Sequence, residues 1–323
     1  MRDAPTPSEP ERIGFLLVSG FSAMAFFSAI EPLRVANRLS GRPLYNWRIY
    51  AQHADPVEAS NGLRLVPDTP FGAERPPTLI VCAGFNPERA ESKATLATLR
   101  KFARAGVRLG ALDTGAHVLA KAGLLSGSRV SIHWEAAPAF QEEFPDIEVT
   151  GELFEVKERI FTCAGGTAAL DLMLAMIGAR HGASLACAIS EQFIHDRIRT
   201  SRDHQRMELA ARLQVHNEKV LQVVELMERC IEQVMDMTDL AEAVSVTPRQ
   251  LERLFENALG QSPARYYRNL RLDRAQHLLR ETGLSVVQVA VATGFNSASS
   301  LSRAYRDCYG RPPRSDRRAM AKN

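Results

Sequence analysis

At 323 residues the chain is longer than one compact domain of ordinary size, so two domains are expected. Hydrophobic residues make up 45% and charged residues 24%, the balance of a globular protein rather than a disordered or fibrous one, and no apolar run is long enough to span a bilayer. The net charge of +3 hides an asymmetry: residues 240–323 hold 14 Lys/Arg against 7 Asp/Glu, while residues 1–239 hold 26 against 30. Of the 14, 13 are arginine, the side chain best shaped for bidentate phosphate and guanine contacts. The five cysteines form no CxxC pair and the eight histidines no HxxxH pair. That pattern argues against a disulfide framework or a zinc site. It points to reduced thiols in a cytoplasmic protein with no metal and no cofactor.

Residues 1–10 lack the apolar stretch of a secretory signal and read as a disordered tail. Beyond them, short β-branched or leucine-rich runs alternate with helical stretches up to residue 199. Strands are predicted over 12–18, 47–52, 78–82, 107–112, 152–156 and 160–162, and helices over 22–39, 91–105, 115–122, 134–143, 167–178 and 183–199. This alternation implies an α/β domain, with a mostly parallel sheet covered by helices on both faces. The polar stretch 200–216 is read as a linker. From Asn217 the chain is helical, opening on an amphipathic stripe of Val220, Val223, Val224, Met227 and Ile231. The second domain is expected over 217–318, with a tail over 319–323.

The last part of the chain contains one helix-turn-helix pattern written twice. Leu251, Arg253, Phe255 and Gly260 recur as Leu301, Arg303, Tyr305 and Gly310, with one extra residue in the second turn. Thr247 before Pro248 is a strong helix start, a hydroxyl cap followed by proline at the first helical position. The helix it opens directs Leu251, Leu254 and Phe255 inward and Arg249, Gln250 and Arg253 outward. The second helix opens at Asn296-Ser297, buries Leu301, Ala304 and Tyr305, and exposes Ser299, Ser300, Arg303 and Arg306. Thr247, Arg249, Gln250, Arg253, Ser297, Ser299, Ser300, Arg303 and Arg306 are therefore the candidate DNA-binding residues. Two such helices, separated by a spacer helix from about Pro263 to Arg280, suit two successive major-groove segments. The bland alternative is a helical bundle that pairs with another protein; the matched registers and the arginine surplus favour DNA.

Residues 217–318 resemble the C-terminal domain of AraC-type transcriptional regulators. The pattern of Ala290, Gly294, Phe295, Ser300, Tyr305 (for the usual Phe), Gly310 and Pro312 runs through the module. The resemblance implies sequence-specific binding to promoter DNA and activation of transcription together with RNA polymerase. Upstream, Val107–Ala120 reads as a strand, a tight turn at Asp113-Thr114-Gly115 and a helix, the layout of a nucleophile elbow. With Glu31 on the first long helix and Ser131-Ile-His133-Trp134-Glu135 downstream, the N-terminal domain resembles the PfpI-like branch of the class I glutamine amidotransferase fold, a flavodoxin-like sheet. The combination resembles the GlxA family of regulators over residues 12–318.

In enzymes of that fold the elbow carries a cysteine assisted by a glutamate. Here the elbow is Asp113, while Cys82 and Cys163 read as core residues, so a binding pocket without turnover is expected. If Glu31 approaches the elbow, as its family position implies, two carboxylates share one pocket and call for a cation between them. Trp134 adds a ring face for a quaternary ammonium or guanidinium group, and His133 and Thr114 are further candidate ligand contacts. The expected effector is a small cationic metabolite such as arginine or a carnitine-, choline- or betaine-like compound. The competing reading is that Asp113 caps the following helix and Glu31 pairs with Arg34. Gly165-Gly166-Thr167 reads either as a glycine-permitted turn or as a seat for an effector carboxylate. The resemblance also implies a homodimer. The alternative function is a PfpI-like hydrolase or chaperone whose helical tail serves assembly.

Overall fold

The structure, a computed structural model, describes residues 9–90, 92–281 and 284–320. Most of the tail expected over 1–10, and residues 321–323 of the tail expected over 319–323, lie outside the described residues. The chain divides into two compact units, the first ending at Gln205 and the second beginning at Arg206. No helix among the described residues is long and apolar enough to cross a membrane.

The first unit runs β1 (Glu11–Leu17), α1 (Ala23–Ser40), β2 (Tyr45–Ala51), β3 (Val57–Glu58), β4 (Arg64–Leu65), β5 (Thr69–Pro70), β6 (Thr78–Cys82), α2 (Lys93–Arg104), β7 (Arg108–Leu112) and α3 (Gly115–Lys121). It continues with β8 (Arg129–Ser131), α4 (Ala137–Glu143), β9 (Glu148–Thr150), β10 (Phe154–Val156), β11 (Ile160–Cys163), α5 (Ala168–His181) and α6 (Ala183–Gln192). The main sheet has the order β10-β11-β7-β6-β1-β2-β5, parallel throughout except for the β10–β11 pair. Its five longer parallel strands therefore stand in the doubly wound order 2-1-3-4-5. All five residues of β6 are buried, as a central strand covered on both faces requires. One face carries α1, α5 and α6 around Phe15, Phe26, Leu33 and Leu172, and the other carries α2 and α3 around Leu79, Leu99, Phe102 and Leu119. Each such fully buried side chain contributes about 1.5–3 kcal/mol of transfer free energy.

The long elements lie where the pattern of apolar residues puts them. The helix expected over 183–199 is the exception, because α6 stops at Gln192. The backbone turns left-handed at Ile194, φ +53°, and beyond it the fully buried Asp171 on α5 holds the exit segment, its carboxylate accepting from His195 Nε2 at 2.9 Å, from the Arg199 backbone N–H at 2.7 Å and from Arg199 Nε at 2.9 Å. These bonds fix the exit segment onto α5. The strand pairs β3–β4 and β8–β9 and the edge strand β5, all of two or three residues, were not expected. They are too short to display a period of two.

The stretch 200–216, read as a linker, is shared between the units. Residues 201–205 lie against β10 and its approach: Leu153 N–H donates to Ser201 O, and Gln205 Nε2 donates to Ile132 O at 3.1 Å and Glu152 O at 2.9 Å. Farther on, α7 (Leu209–Leu213) packs Leu209 and Leu213 into the core of the second unit. That unit continues with α8 (Glu218–Arg229), α9 (Met237–Ala243), α10 (Pro248–Leu259), α11 (Pro263–Glu281), α12 (Val286–Ala292), α13 (Ala298–Tyr309) and α14 (Pro313–Met320). The expected stripe supplies Val220, Val223, Val224 and Met227 to a core shared with Leu240, Leu251, Phe255 and Tyr267.

Candidate functional sites: the strand-end elbow and the two recognition helices

Asp113 follows β7 with φ +60°, a left-handed conformation that non-glycine residues rarely adopt. Its N–H donates to Cys163 O at 2.9 Å, tying the turn to the end of β11. The Thr114 hydroxyl donates to Gly84 O at 2.6 Å and makes no cap on α3, so it fixes the elbow to the loop after β6. Gly165 closes the other side. Its φ is +86°, and a Cβ there would stand 2.7 Å from Asp113 Cβ and 2.9 Å from Asp113 Oδ2. The glycine at 165 thus makes room for the elbow.

The Asp113 carboxyl group is largely enclosed, and burial pushes its pKa up to about 6. His133, the Ser22 hydroxyl and the Thr114 N–H pull against that rise, while Glu135 adds to it. Glu31 is not brought to the elbow. It pairs on the helix surface with Arg34, whose Nε and Nη2 both donate to Glu31 Oε2 at 2.9 and 2.6 Å. The residue of α1 that reaches Asp113 is Ser22, at its N-cap, and Glu31 is about 13 Å farther along the helix axis. The second carboxylate whose charge is felt at Asp113 is Glu135, two residues after His133 and 3.9 Å from its Nδ1. The signal for it was the Ser131–Glu135 segment itself, in which an acidic residue follows the His-Trp pair. Trp134 is 41% exposed, with its ring tilted at 35° to that of His133 and 5.7 Å from it. Phe85, 59% exposed, stands next to Gly84 on the loop that holds Thr114.

Both recognition helices open as their sequences require. Thr247 and Gln250 form a reciprocal capping box on α10, and the Ser297 hydroxyl accepts from the Ser300 N–H at 3.1 Å to cap α13. Thr247, Arg249, Gln250, Arg253, Ser297, Ser299, Ser300, Arg303 and Arg306 are all exposed. Thr247, Gln250 and Ser297 are engaged as caps. The guanidinium groups of Arg249, Arg253, Arg303 and Arg306 have no hydrogen-bond or ion-pair partner among the described residues. Leu251 with Phe255, and Leu301 with Tyr305, are fully buried and fix the outward faces of the two helices. Beside α13 lies a polar groove of about 630 Å³ lined by Arg268, Arg271, Asn296, Ser297, Ser300 and Arg303. Arg268 and Arg271, on the spacer helix α11, were not among the candidate residues because they stand outside the repeated pattern, and Asn296 was read only as part of the helix start.

The two turns are built differently. Ser245 in the first has φ +54°, while Gly294 occupies the matching place in the second with φ +67°. A Cβ on Gly294 would stand 2.6 Å from Ile231 O and 2.8 Å from Glu232 O, whereas one on Gly310, also left-handed at φ +68°, would meet nothing within 4 Å. Gly310→Ala is therefore expected to cost only the backbone penalty of about 1–2 kcal/mol. Gly294→Ala is expected to cost more, because carbonyls must also move. Urea denaturation of both variants measures this, and equal midpoints would contradict it. Arg271 braces the same turn by donating to Thr293 O and Gly294 O and by stacking over Phe295 at 4.2 Å. The Tyr305 hydroxyl, which the usual Phe would lack, donates to the buried Asp316, itself bound by Arg311 at 2.6 Å.

The DJ-1/PfpI family matches residues 11–179, and a helix-turn-helix domain family matches residues 240–319. The HTH-type transcriptional regulator CdhR of Pseudomonas aeruginosa is 49% identical over 310 residues, which cover 95% of this chain and 91% of that one. The regulator GlxA of Rhizobium meliloti is 40% identical over 95% of this chain and 96% of its own. The chain belongs to the GlxA-type family of transcriptional regulators. Among solved structures, an AraC family transcriptional regulator from Pseudomonas putida covers 57% of this chain and all of its own length, at 29% identity and a TM-score of 0.52.

Membership of the GlxA-type family over nearly the whole length decides between the two functions weighed above. The chain is a transcriptional regulator, not a hydrolase with an assembly tail, and a helix-turn-helix regulator acts on promoter DNA. The chemistry around the elbow agrees. Cys82 and Cys163 end the strands on either side of β7 and are fully enclosed. Burial drives the Cys163 thiol up to about 12 and the Cys82 thiol upward as well, so neither supplies a thiolate at neutral pH.

Proposed function

We propose that this regulator senses a small cationic metabolite at the Asp113 elbow and answers by changing how its two recognition helices engage promoter DNA. The observation that carries this reading is Asp113 itself. Burial disfavours its ionised form, the backbone beneath it is left-handed, and a second carboxylate, Glu135, stands near. A cation entering between the two relieves a cost that the empty site pays. The ring of Trp134 offers it a face, and His133 and Thr114 complete the candidate contact set. Arginine and carnitine-, choline- or betaine-like compounds carry such a head group.

The route from pocket to output runs through the main chain. Gln205, the last residue of the first unit, donates to the carbonyl of Ile132, the residue before His133. An effector that draws His133 and Trp134 inward shifts the anchor of Gln205. The effector must bind one arrangement more tightly than the other for this to count as allostery. On the DNA side, Arg249, Arg253, Ser299, Ser300, Arg303 and Arg306 are proposed as base and phosphate contacts, with Thr247, Gln250 and Ser297 setting the helix starts. Operation as a homodimer that recruits RNA polymerase in the cytoplasm, as an activator, completes the proposal.

The test is calorimetric titration of the full chain with choline, L-carnitine, glycine betaine and L-arginine, with succinate as the anionic control. At least one of the four is expected to bind, and Asp113→Asn to weaken that binding at least tenfold. Binding of succinate alone, or a cation affinity untouched by Asp113→Asn, would contradict the reading.

A further inference from the structure

We propose that the first unit carries a second ligand site, independent of the elbow, that takes a zwitterionic amino acid with an apolar side chain. A cavity of about 400 Å³ opens at the carboxyl ends of β1 and β2. In an open α/β sheet, ligands settle outside the carboxyl ends of strands where successive connections leave for opposite faces. That place here is between β1 and β6. The chain leaves β1 for α1 on one face of the sheet and leaves β6 for α2 on the other. The cavity spans this crevice, since its walls combine the end of β1 with Arg89 and Ala90 from the β6–α2 connection and Thr95 from the first turn of α2. Asp113, at the end of β7, lies one strand beyond β6.

The lining selects the ligand. Leu16, Val18, Ala51, Val57 and Ala90 form an apolar floor, all of them buried in the protein yet bordering the cavity. A volume of this size lies at the small end of the range for ligand pockets and suits a molecule of amino-acid dimensions. The charges at the mouth are of both signs. Glu58 and Arg64 neutralise each other at 3.0 Å. That leaves Asp55 and the imidazole of His53 on the segment after β2 and Arg89 on the short 3-10 turn Pro87–Ala90, none with a side-chain partner among the described residues. An uncommitted carboxylate and an uncommitted guanidinium on different walls of an apolar cavity match an α-ammonium and an α-carboxylate, with His53 a further hydrogen-bonding group beside Asp55. The guanidinium of Arg89 would take the carboxylate in a fork and Asp55 would take the ammonium. A lone cation or a lone anion satisfies only half of this lining, and this separates the site from the elbow.

The experiment is differential scanning fluorimetry of the full chain with each standard amino acid, repeated on Arg89→Ala, Asp55→Asn and Asp113→Asn. Both mouth residues are exposed, so these variants keep the fold, and their ligand-free Tm verifies that. At least one apolar amino acid is expected to raise the Tm by several degrees at about 100-fold its Kd. The rise is expected to persist in Asp113→Asn and to vanish in Arg89→Ala and Asp55→Asn. The decarboxylated amine and the deaminated acid of the same compound should each shift the Tm less. No shift with any amino acid, a shift that survives both mouth substitutions, or a shift lost in Asp113→Asn would overturn the proposal. Failure of the elbow reading shows instead as absent choline, carnitine, betaine or arginine binding, and leaves this outcome untouched.

Discussion

Replacing Arg253 and Arg303 together by alanine is expected to abolish specific binding to the promoter DNA of the regulator while leaving the fold intact. Each guanidinium lies on the exposed face of its helix, two residues after a fully buried leucine that fixes that face. An arginine that reads a guanine edge is worth about 1–3 kcal/mol, so each single substitution should weaken binding about 5–150-fold. The effects should multiply in the double variant, because the two helices are separate readers with no shared partner. Loss of a base contact relaxes sequence preference at one position of the site, whereas loss of a phosphate contact lowers the salt dependence of binding. Fluorescence anisotropy over a salt series separates the two. An affinity within twofold of the parent for the double variant would show that DNA is read elsewhere.

Asp113→Asn is expected to make the protein more stable at pH 7 by about 2 kcal/mol, a value that allows for screening at the open side of the pocket. An acid whose pKa rises on folding, here from 3.8 to about 6, holds its proton more tightly in the folded state. Between those two values the ionised form is progressively imposed on a site that disfavours it, so stability falls as pH rises and the full cost is present above pH 6. Asparagine cannot ionise, so its stability should match that of the parent near pH 4 and exceed it at pH 7. Chemical denaturation of both proteins across that interval measures the difference. An asparagine variant less stable than the parent at pH 7 would mean that the carboxylate is there to hold the fold. A carboxylate that costs its own domain stability is the outcome that the proposed effector site requires.

Much of this arrangement was legible in the residues, for identifiable reasons. The strand over 78–82 and the recognition helices are governed by short-range patterns, a continuous apolar run in one case and hydroxyl N-caps with buried leucines in the other. The elbow was readable from strand, turn and helix signals around Asp113, because its geometry is local. What failed was anything that depended on an unseen partner. Asp171 holds the segment after α6 from another helix, and Glu31 was drawn to the elbow by analogy with enzymes although Arg34, one turn away, holds it on the surface. Glu135 was in view, but only the folded chain shows that its charge and that of His133 act on Asp113. The cavity at the ends of β1 and β2 left no trace in the sequence, because its walls come from four separated segments.

The central claim is that a cation at Asp113 controls the two recognition helices. Its most direct test is anisotropy titration of the full chain on its own upstream DNA, without and with choline, L-carnitine, glycine betaine or L-arginine. The account predicts that at least one of them shifts the binding midpoint by fivefold or more, and that Asp113→Asn binds the DNA but no longer responds. A midpoint unmoved by all four, or a response that persists unchanged in Asp113→Asn, would contradict it.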